Sequence, residues 1–124
     1  MPKATDLAQQ FARFTETWTP HLVGELNGQH VKLVKLEGDR CPWHFHAAED
    51  ELFLVLQGTL DLHLRDGVVP VGPGAFYIVP KGVEHRPVPR GAVQAMLFEP
   101  ASTAHTGNVH AEITRAECRR LGPA

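Results

Sequence analysis

The sequence predicts an all-β sandwich or barrel preceded by one short helix. Beyond Pro20, apolar residues alternate with polar ones or form short runs, which glycine or proline interrupts about every six to ten residues. Asn27-Gly28 and Asp66-Gly67 are dipeptides typical of tight hairpin turns. About eight or nine short strands separated in this way are typical of a sandwich or barrel, and a double-sheet jelly roll is one arrangement that manages its sheet edges.

The helix is predicted near the N-terminus. Thr5 or Asp6 can cap it, it runs to about Thr17, and Pro20 ends it. Its apolar face has spacings of four, three and four residues and consists of Leu7, Phe11, Phe14 and Trp18. We expect this face to pack on the outside of the barrel or on a second subunit. The predicted organisation is a helical segment over residues 1–20, a barrel over 21–113 and a charged tail over 114–124.

The predicted strands lie between these turns. Gly58 is expected to end one strand, and alternation in the next places His63 on a solvated face. His105 and His110 fall in a polar loop and are expected to be exposed. The strands are predicted over residues 21–26, 29–36, 43–45, 51–57, 59–65, 68–71, 75–79, 92–98 and 109–113.

Composition indicates a single globular domain. The chain has 124 residues, of which 43% are apolar, and a formal net charge of −2. Mixed charges at this balance give no argument for nucleic acid or an anionic membrane as a partner. No apolar run approaches the roughly 20 residues of a membrane span, and no signal-peptide core follows Met1, so we expect a cytoplasmic protein. The two cysteines, Cys41 and Cys118, suggest no disulfide framework, and Cys41 is interpreted as a small buried thiol.

A group of histidines and one glutamate predicts a metal site. His44 and His46 are two residues apart, so in a strand their side chains project to the same side. A turn through residues 47–50 would bring Glu51 beside them, and His85 is a fourth candidate after Pro80-x-Gly82. Imidazole nitrogens and a carboxylate oxygen are ordinary ligands of divalent transition metals.

Together these stretches resemble the two motifs of the cupin family. The matching positions are Gly38, His44, His46, Glu51 and Gly58 in the first motif and Gly74, Pro80, Gly82 and His85 in the second. Pro89 stands where the family usually has a closing Asn, which is not a metal ligand there. The resemblance covers about residues 28–100, most of the domain.

The resemblance implies a double-stranded β-helix, the cupin jelly roll, in which His44, His46, Glu51 and His85 hold a divalent transition metal. Mn, Fe, Ni, Cu and Zn all suit such a mixed nitrogen and oxygen site. Less specific segments are similar to small single-domain cupins often labelled mannose-6-phosphate isomerase-like. Cupins of this size are commonly homodimers, so we expect one here.

Four protein ligands leave one or two coordination positions open, so two kinds of enzyme follow. The metal could polarise a sugar carbonyl for isomerisation, or Fe(II) could bind a substrate and dioxygen together for oxidative cleavage. The alternative is a non-catalytic module that binds a metal or a small ligand, because a fold does not imply a function.

The substrate pocket is predicted to be aromatic and largely apolar, which favours a small organic molecule. Its expected lining residues are Phe45, Phe53 and either Tyr77 or Phe76. Candidate polar groups at its mouth are Arg40, Lys81, Glu84 and Arg86, and possible general bases are Glu49, Asp50 and Glu84. None of these residues is assigned a catalytic role.

Overall fold

The structure, a computed structural model that describes residues 1–123, contains seven β-strands and one short helix. The elements are α1 (Leu7–Phe11), β1 (His21–Leu26), β2 (Gln29–Leu36), β3 (Glu51–Leu64), β4 (Gly67–Val71), β5 (Phe76–Val79), β6 (His85–Pro100) and β7 (Arg119–Arg120). The strand order is β4-β3-β6-β2-β1-β7, and β5 pairs with β3. The predicted all-β double-stranded β-helix is confirmed, with a strand ladder that does not close into a ring.

Two long strands, β3 and β6, carry most of the architecture. The first part of β3 pairs with residues 95–98 of β6, and its second part pairs with residues 85–90. Between these parts, register shifts around Gln57 and Thr59 mark a β-bulge. The prediction that Gly58 ends the strand is wrong, because Gly58 lies within this bulge at φ +82°. An added Cβ there would lie 2.4 Å from the carbonyl oxygen of Ala92. Glycine is therefore required there.

The bulge explains the change in apolar pattern along β3. Before it the buried side chains are at odd positions, Phe53 and Val55, and after it they are at even positions, Leu60 and Leu62. Because side chains alternate across a strand, an extra residue is needed to keep both sets facing the same interior. These four side chains belong to one buried cluster at the centre of the barrel.

The helix is shorter than predicted. Asp6 caps it as expected, with its carboxylate accepting the N–H of Gln9 at 3.0 Å, but it ends at Phe11 and not near Thr17. Phe11 packs outside the barrel, whereas Trp18 turns inward to the main core. Trp18 has φ 55°, and its backbone N–H and indole N–H donate to carbonyls at the end of β2. Tertiary contacts with β2 therefore override the helical pattern.

The turn predictions are largely confirmed. Asn27 and Gly28, both with positive φ, form the two-residue turn between β1 and β2. The next hairpin turn lies one residue earlier than predicted, at Arg65-Asp66, because Leu64 pairs with Gly67. Residues 43–45 are not a regular strand, since only His44 forms a bridge there, with His85.

The C-terminal part differs from the prediction. Residues 109–113 form no strand, and Ile113 instead inserts into the barrel core at 1% exposure. A short parallel strand forms later, where Arg119 and Arg120 pair with His21 and Leu22. Ala124, the last residue of the predicted tail, lies outside the described residues. Within residues 1–123, no helix has the length and apolar character needed to cross a membrane.

Candidate metal centre

The four predicted metal ligands lie together inside the barrel. One potential ligand atom from each of His44, His46, Glu51 and His85 lies within 4.8 Å of the other three. All four residues are buried, with at most 4% of their surface exposed. Residues from three separate parts of the chain therefore present nitrogen and oxygen donors to one small volume.

Backbone pairing positions the histidines. His44 and His85 exchange both backbone hydrogen bonds, at 3.0 and 2.9 Å, in a bridge outside the regular strands. The carbonyl of His46 accepts the N–H of Gly82 at 2.7 Å. Glu51 is the first residue of β3 and pairs with Val79 of β5. The second motif therefore holds the first in place through main-chain contacts as well as contributing His85.

Two of the imidazoles have their orientation fixed by carbonyl groups. Nδ1 of His44 lies 2.8 Å from the carbonyl oxygen of Pro42, and Nδ1 of His85 lies 2.9 Å from that of Val83. A carbonyl only accepts, so each Nδ1 carries the proton and each Nε2 keeps a lone pair. Histidines that bind metals are typically held in this way through their second nitrogen.

Three of the buried potential ligand atoms have no hydrogen-bond partner within residues 1–123. Nε2 of His46 and Nε2 of His85 each lie 3.4 Å from Oε1 of Glu51, and none of these three atoms makes a hydrogen bond to another atom of residues 1–123. Buried polar atoms are ordinarily satisfied, so three unpartnered donors facing one another need an explanation. A divalent cation bound by these atoms would supply it, and the set of nitrogen and oxygen ligands fits a transition metal.

The protonation states also suit a metal. Burial, and then the neighbouring His85, lowers the pKa of His44 to about 4, so its imidazole is neutral at pH 7. Burial alone would raise the pKa of Glu51, but the imidazoles of His46 and His85 and the Glu99 carboxyl outweigh it and hold that pKa well below its ordinary value. A neutral imidazole and an ionised carboxylate are the ligand forms that a divalent cation requires.

Cys41 is a buried thiol, as interpreted from the sequence. Its Sγ lies 3.8 Å from Nδ1 of His44, on the side of the ring that faces the Pro42 carbonyl. Burial, followed by the charge of Glu51, raises the pKa of Cys41 to about 12. The thiol therefore stays protonated at neutral pH and packs behind His44. Because only a thiolate is a good metal ligand, Cys41 is not a candidate ligand.

Gly107 and Asn108 support the histidine segment, a role that sequence reasoning missed. The side-chain oxygen of Asn108 accepts the N–H of Phe45 at 2.9 Å, and the backbone N–H of Asn108 donates to the Phe45 carbonyl at 3.1 Å. At Gly107, which has φ +57°, a Cβ would lie 2.2 Å from that carbonyl oxygen and 3.0 Å from Cδ2 of His44. The Gly-Asn dipeptide in a polar loop was the available signal.

A cavity of about 590 Å³ reaches Glu51 from the surface, since its wall includes exposed residues such as Asn108 and His110. The prediction of an aromatic pocket is wrong for this cavity, because no Phe, Tyr or Trp within residues 1–123 lines it. Phe53 instead lines a small inner cavity of about 40 Å³ that touches His44 and Glu51. Phe76, another predicted lining residue, borders neither cavity and is 60% exposed.

Two further side chains of the large cavity were not predicted as site residues. His105 was expected to be exposed, but it is partly buried and borders both cavities. Its Nδ1 accepts the N–H of Arg115 at 2.8 Å, and burial, then Arg115, lowers its pKa to about 4. Glu99 is buried, and burial, followed by the charge of Glu51, raises its pKa well above the ordinary value.

The polar residues predicted at the mouth do not line either cavity. Arg86 forms a two-contact ion pair with Asp39, and Arg65 pairs with Glu84. Arg65 also lies over the ring of Trp43, with 3.9 Å between the guanidinium carbon and the ring centroid. These side chains form a surface network beside the barrel and not a cationic clamp near the metal centre.

Comparison with known proteins identifies the protein family to which this chain belongs. Residues 30–100 match the Cupin_2 cupin domain, so the chain belongs to the cupin-2 family. A cupin-2 domain-containing protein from Shewanella frigidimarina NCIMB 400 has 39% identity and a TM-score of 0.74, over 77% of this chain and 92% of its own. Family membership and the small single-domain cupin predicted from the sequence are confirmed.

Two similar proteins carry enzyme names. Homogentisate 1,2-dioxygenase from Rhodopseudomonas palustris (strain BisB18) is 33% identical over 89 residues, which are 68% of this chain and 19% of the dioxygenase. A sugar phosphate isomerase of the cupin superfamily from Silicibacter pomeroyi DSS-3 is 26% identical, with a TM-score of 0.55 over 65% of this chain and 55% of its own. The chain thus spans about a fifth of the first protein and about half of the second.

Proposed function

We propose that the protein is a metal-dependent enzyme that acts on a small organic molecule, with His44, His46, Glu51 and His85 as the metal ligands. The observation that carries this proposal is the position of Glu51, which belongs to the four-residue cluster and also lines the cavity of about 590 Å³. A structural metal site is closed, whereas a catalytic site keeps a position open to substrate. The cavity supplies that access.

Isomerase-type chemistry is the reading that this cavity supports best. When bound, the metal supplies Lewis acidity that polarises a carbonyl or hydroxyl oxygen of the substrate. The chain holds the imidazoles of His44 and His85 in one tautomer through the carbonyls of Pro42 and Val83, and its larger cavity, within residues 1–123, has no Phe, Tyr or Trp in its wall. The similarity to a sugar phosphate isomerase agrees with this chemistry.

Dioxygenase chemistry is the second candidate, favoured by the similarity to homogentisate 1,2-dioxygenase. The same three histidines and one glutamate would suit Fe(II), which uses open positions for substrate and dioxygen. The absence of Phe, Tyr and Trp from the larger cavity, within residues 1–123, weighs against an aromatic substrate there. The non-catalytic binding module remains the alternative outcome of the experiment.

Elemental analysis of protein purified without added metal, followed by substrate screening, tests these proposals. Zinc or manganese with turnover of a hydroxylated substrate and no oxygen uptake supports an isomerase. Iron with oxygen uptake supports a dioxygenase. A stoichiometric metal with no turnover in either screen supports the binding module, and absence of any metal after loading contradicts the proposed site.

We also propose a homodimer, in the cytoplasm, formed through the outer face near β5. Phe76 and Ile78 are 60% and 47% exposed there, and they lie opposite the partly buried Leu54 and Leu52 of β3. Within residues 1–123, β5 pairs only with β3, so its other edge is free to meet a second copy. Phe76→Glu should convert a dimer to a monomer in sedimentation experiments, whereas a monomeric wild-type protein would contradict the dimer.

A further inference from the structure

We propose that the large cavity beside Glu51 binds a small, non-aromatic molecule bearing hydroxyl groups, and that Lys32 and Glu99 hold those hydroxyls next to the metal centre. This inference rests on the proposed function and names its substrate class. Lys32, Glu99 and Glu51 all line the cavity. Neither Lys32 nor Glu99 belongs to the four-residue metal cluster.

Lys32 and Glu99 form a buried pair on neighbouring strands. Lys32 of β2 lies opposite Leu97 of β6, two residues before Glu99, so both side chains face the same side of the sheet. Nζ of Lys32 lies 2.9 Å from Oε1 of Glu99, and the two side chains are 7% and 3% exposed. Burial of such a pair carries a high desolvation cost, so the stability of the fold alone does not account for the pair.

The pair leaves one polar atom without a partner. Oε2 of Glu99 is buried and, within residues 1–123, makes no hydrogen bond, and the same is true of Nδ1 of His30, which also borders the cavity. A buried carboxyl oxygen without a hydrogen-bond partner is unfavourable, so a ligand that forms a hydrogen bond with it gains affinity. A hydroxyl group both donates and accepts, so it can contact Glu99 and Lys32 at once.

The other residues that line the cavity limit the class of ligand that it can bind. Within residues 1–123, no Phe, Tyr or Trp borders this cavity, so it offers no such ring for an aromatic substrate to stack on. Lys32 is already paired with Glu99, and the guanidinium of Arg115 donates to the backbone carbonyls of Ile113 and Thr114. A phosphate group would need cationic donors that these pairings already engage. An uncharged polyhydroxy compound fits best.

Binding experiments on the manganese-loaded protein test this inference. The probes are D-fructose, fructose 6-phosphate and phenylacetate, and calorimetry measures each affinity. We expect fructose to bind more tightly than the other two. Glu99→Gln and Lys32→Met should each weaken fructose binding about tenfold or more, the loss expected for one hydrogen bond to a charged group. Their manganese content should equal that of the wild type.

Two further variants sharpen the test. Glu37→Gln alters an exposed glutamate outside this cavity and should change the fructose affinity less than twofold. The double variant Lys32→Met with Glu99→Leu removes both members of the pair together, which a fold tolerates better than loss of one partner. It should fold, bind manganese and fail to bind fructose, so that misfolding of a single variant leaves the inference testable.

The outcomes separate this inference from the proposed function. Manganese binding with unchanged fructose affinity in the double variant overturns the inference alone, as does tighter binding of the phosphate or aromatic probe or no fructose binding by the wild type. Loss of manganese in Glu99→Gln also overturns it, because Glu99 would then serve the metal ligands. A wild-type protein that binds no manganese or other divalent transition metal refutes the proposed function.

Discussion

His44 and His85 exchange two backbone hydrogen bonds, and their ring centroids lie 4.4 Å apart. The bridge joins the two motifs at the point where both contribute an imidazole to the cluster. Because the same residues supply the main-chain contact and the imidazoles, the pairing of the two motifs places these two side chains next to each other.

Removal of one imidazole should reduce metal binding without unfolding the protein. His46→Ala removes an imidazole whose nitrogens make no hydrogen bond within residues 1–123, so no hydrogen bond seen in the structure is lost with it. We expect metal content to fall sharply while the β-type circular dichroism spectrum stays the same. His110→Ala changes an exposed histidine and serves as the control. Wild-type metal content in His46→Ala would show that the ligand assignment is wrong.

Gly107→Ala should weaken both the fold and the metal site. Its Cβ would lie 2.2 Å from the carbonyl oxygen of Phe45, so the segment carrying His44 and His46 must shift. We expect a loss of more than about 2 kcal/mol in the free energy of unfolding, together with weaker metal binding. Urea titration and calorimetry measure the two effects.

Gly28→Ala is the matched control for that substitution. Gly28 also has positive φ, but its added Cβ would meet no atom within 4 Å. It should therefore lose only about 1 kcal/mol, from backbone strain, and keep its metal affinity. Equal losses in the two variants would show that close packing of Gly107 on the Phe45 carbonyl does not matter.

Truncation of Ile113 should destabilise the barrel although no strand contains it. The side chain is 1% exposed and packs in the central cluster. Ile113→Ala should lower the free energy of unfolding by about 2–4 kcal/mol, since it removes buried methyl groups and leaves a cavity. Leu26→Ala, a truncation at a residue that is 49% exposed, should cost less than about 1 kcal/mol. Similar losses would place Ile113 outside the core.

Much of the fold and site could be predicted because the deciding interactions are local or fixed by spacing. The Asn27-Gly28 turn follows from backbone preference, and the histidine pair and Glu51 follow from motif spacing. Ile113 and Trp18 could not be placed, because both leave their local pattern to fill space inside the barrel. Their positions depend on contacts with distant strands, which periodicity does not report.

Lys32 and Glu99 were not predicted as cavity residues, because their positions also depend on contacts between distant strands. Lys32 and Glu99 lie in segments that read as ordinary strands, and only the pairing of β2 with β6 brings them together. The pocket was predicted from aromatic residues next to the motifs, yet Phe76 faces outward on β5. A one-residue alternation error places a side chain on the opposite face of a sheet.

Stability should fall with acid partly through His21. This side chain is fully buried against Phe14, with 3.9 Å between ring centroids, and neither ring nitrogen has a hydrogen-bond partner in the described part of the chain. Burial lowers the pKa of His21 although Glu16 lies 3.5 Å away and opposes the shift, and Arg119 adds to it. Because the unfolded histidine, with a pKa of about 6.5, binds the proton more readily, stability declines as pH falls below about 7.

Urea unfolding of metal-free protein at about pH 7.5 and pH 5.5 measures this effect. His21→Gln should lose less stability than the wild type between the two values, because its side chain does not titrate. His110→Gln, at an exposed position, should keep the wild-type pH dependence. An identical decline in the wild type and His21→Gln would remove His21 from the account.

X-ray absorption spectroscopy of the zinc-loaded protein tests the central claim most directly. Three imidazoles and one carboxylate around a single ion predict a first shell of nitrogen and oxygen at about 2.0–2.1 Å, with scattering from three histidine rings. Cys41 and Cys118 should contribute no sulfur at about 2.3 Å. A spectrum with a sulfur ligand, or with fewer than three histidine rings, would contradict a metal centre built from His44, His46, Glu51 and His85.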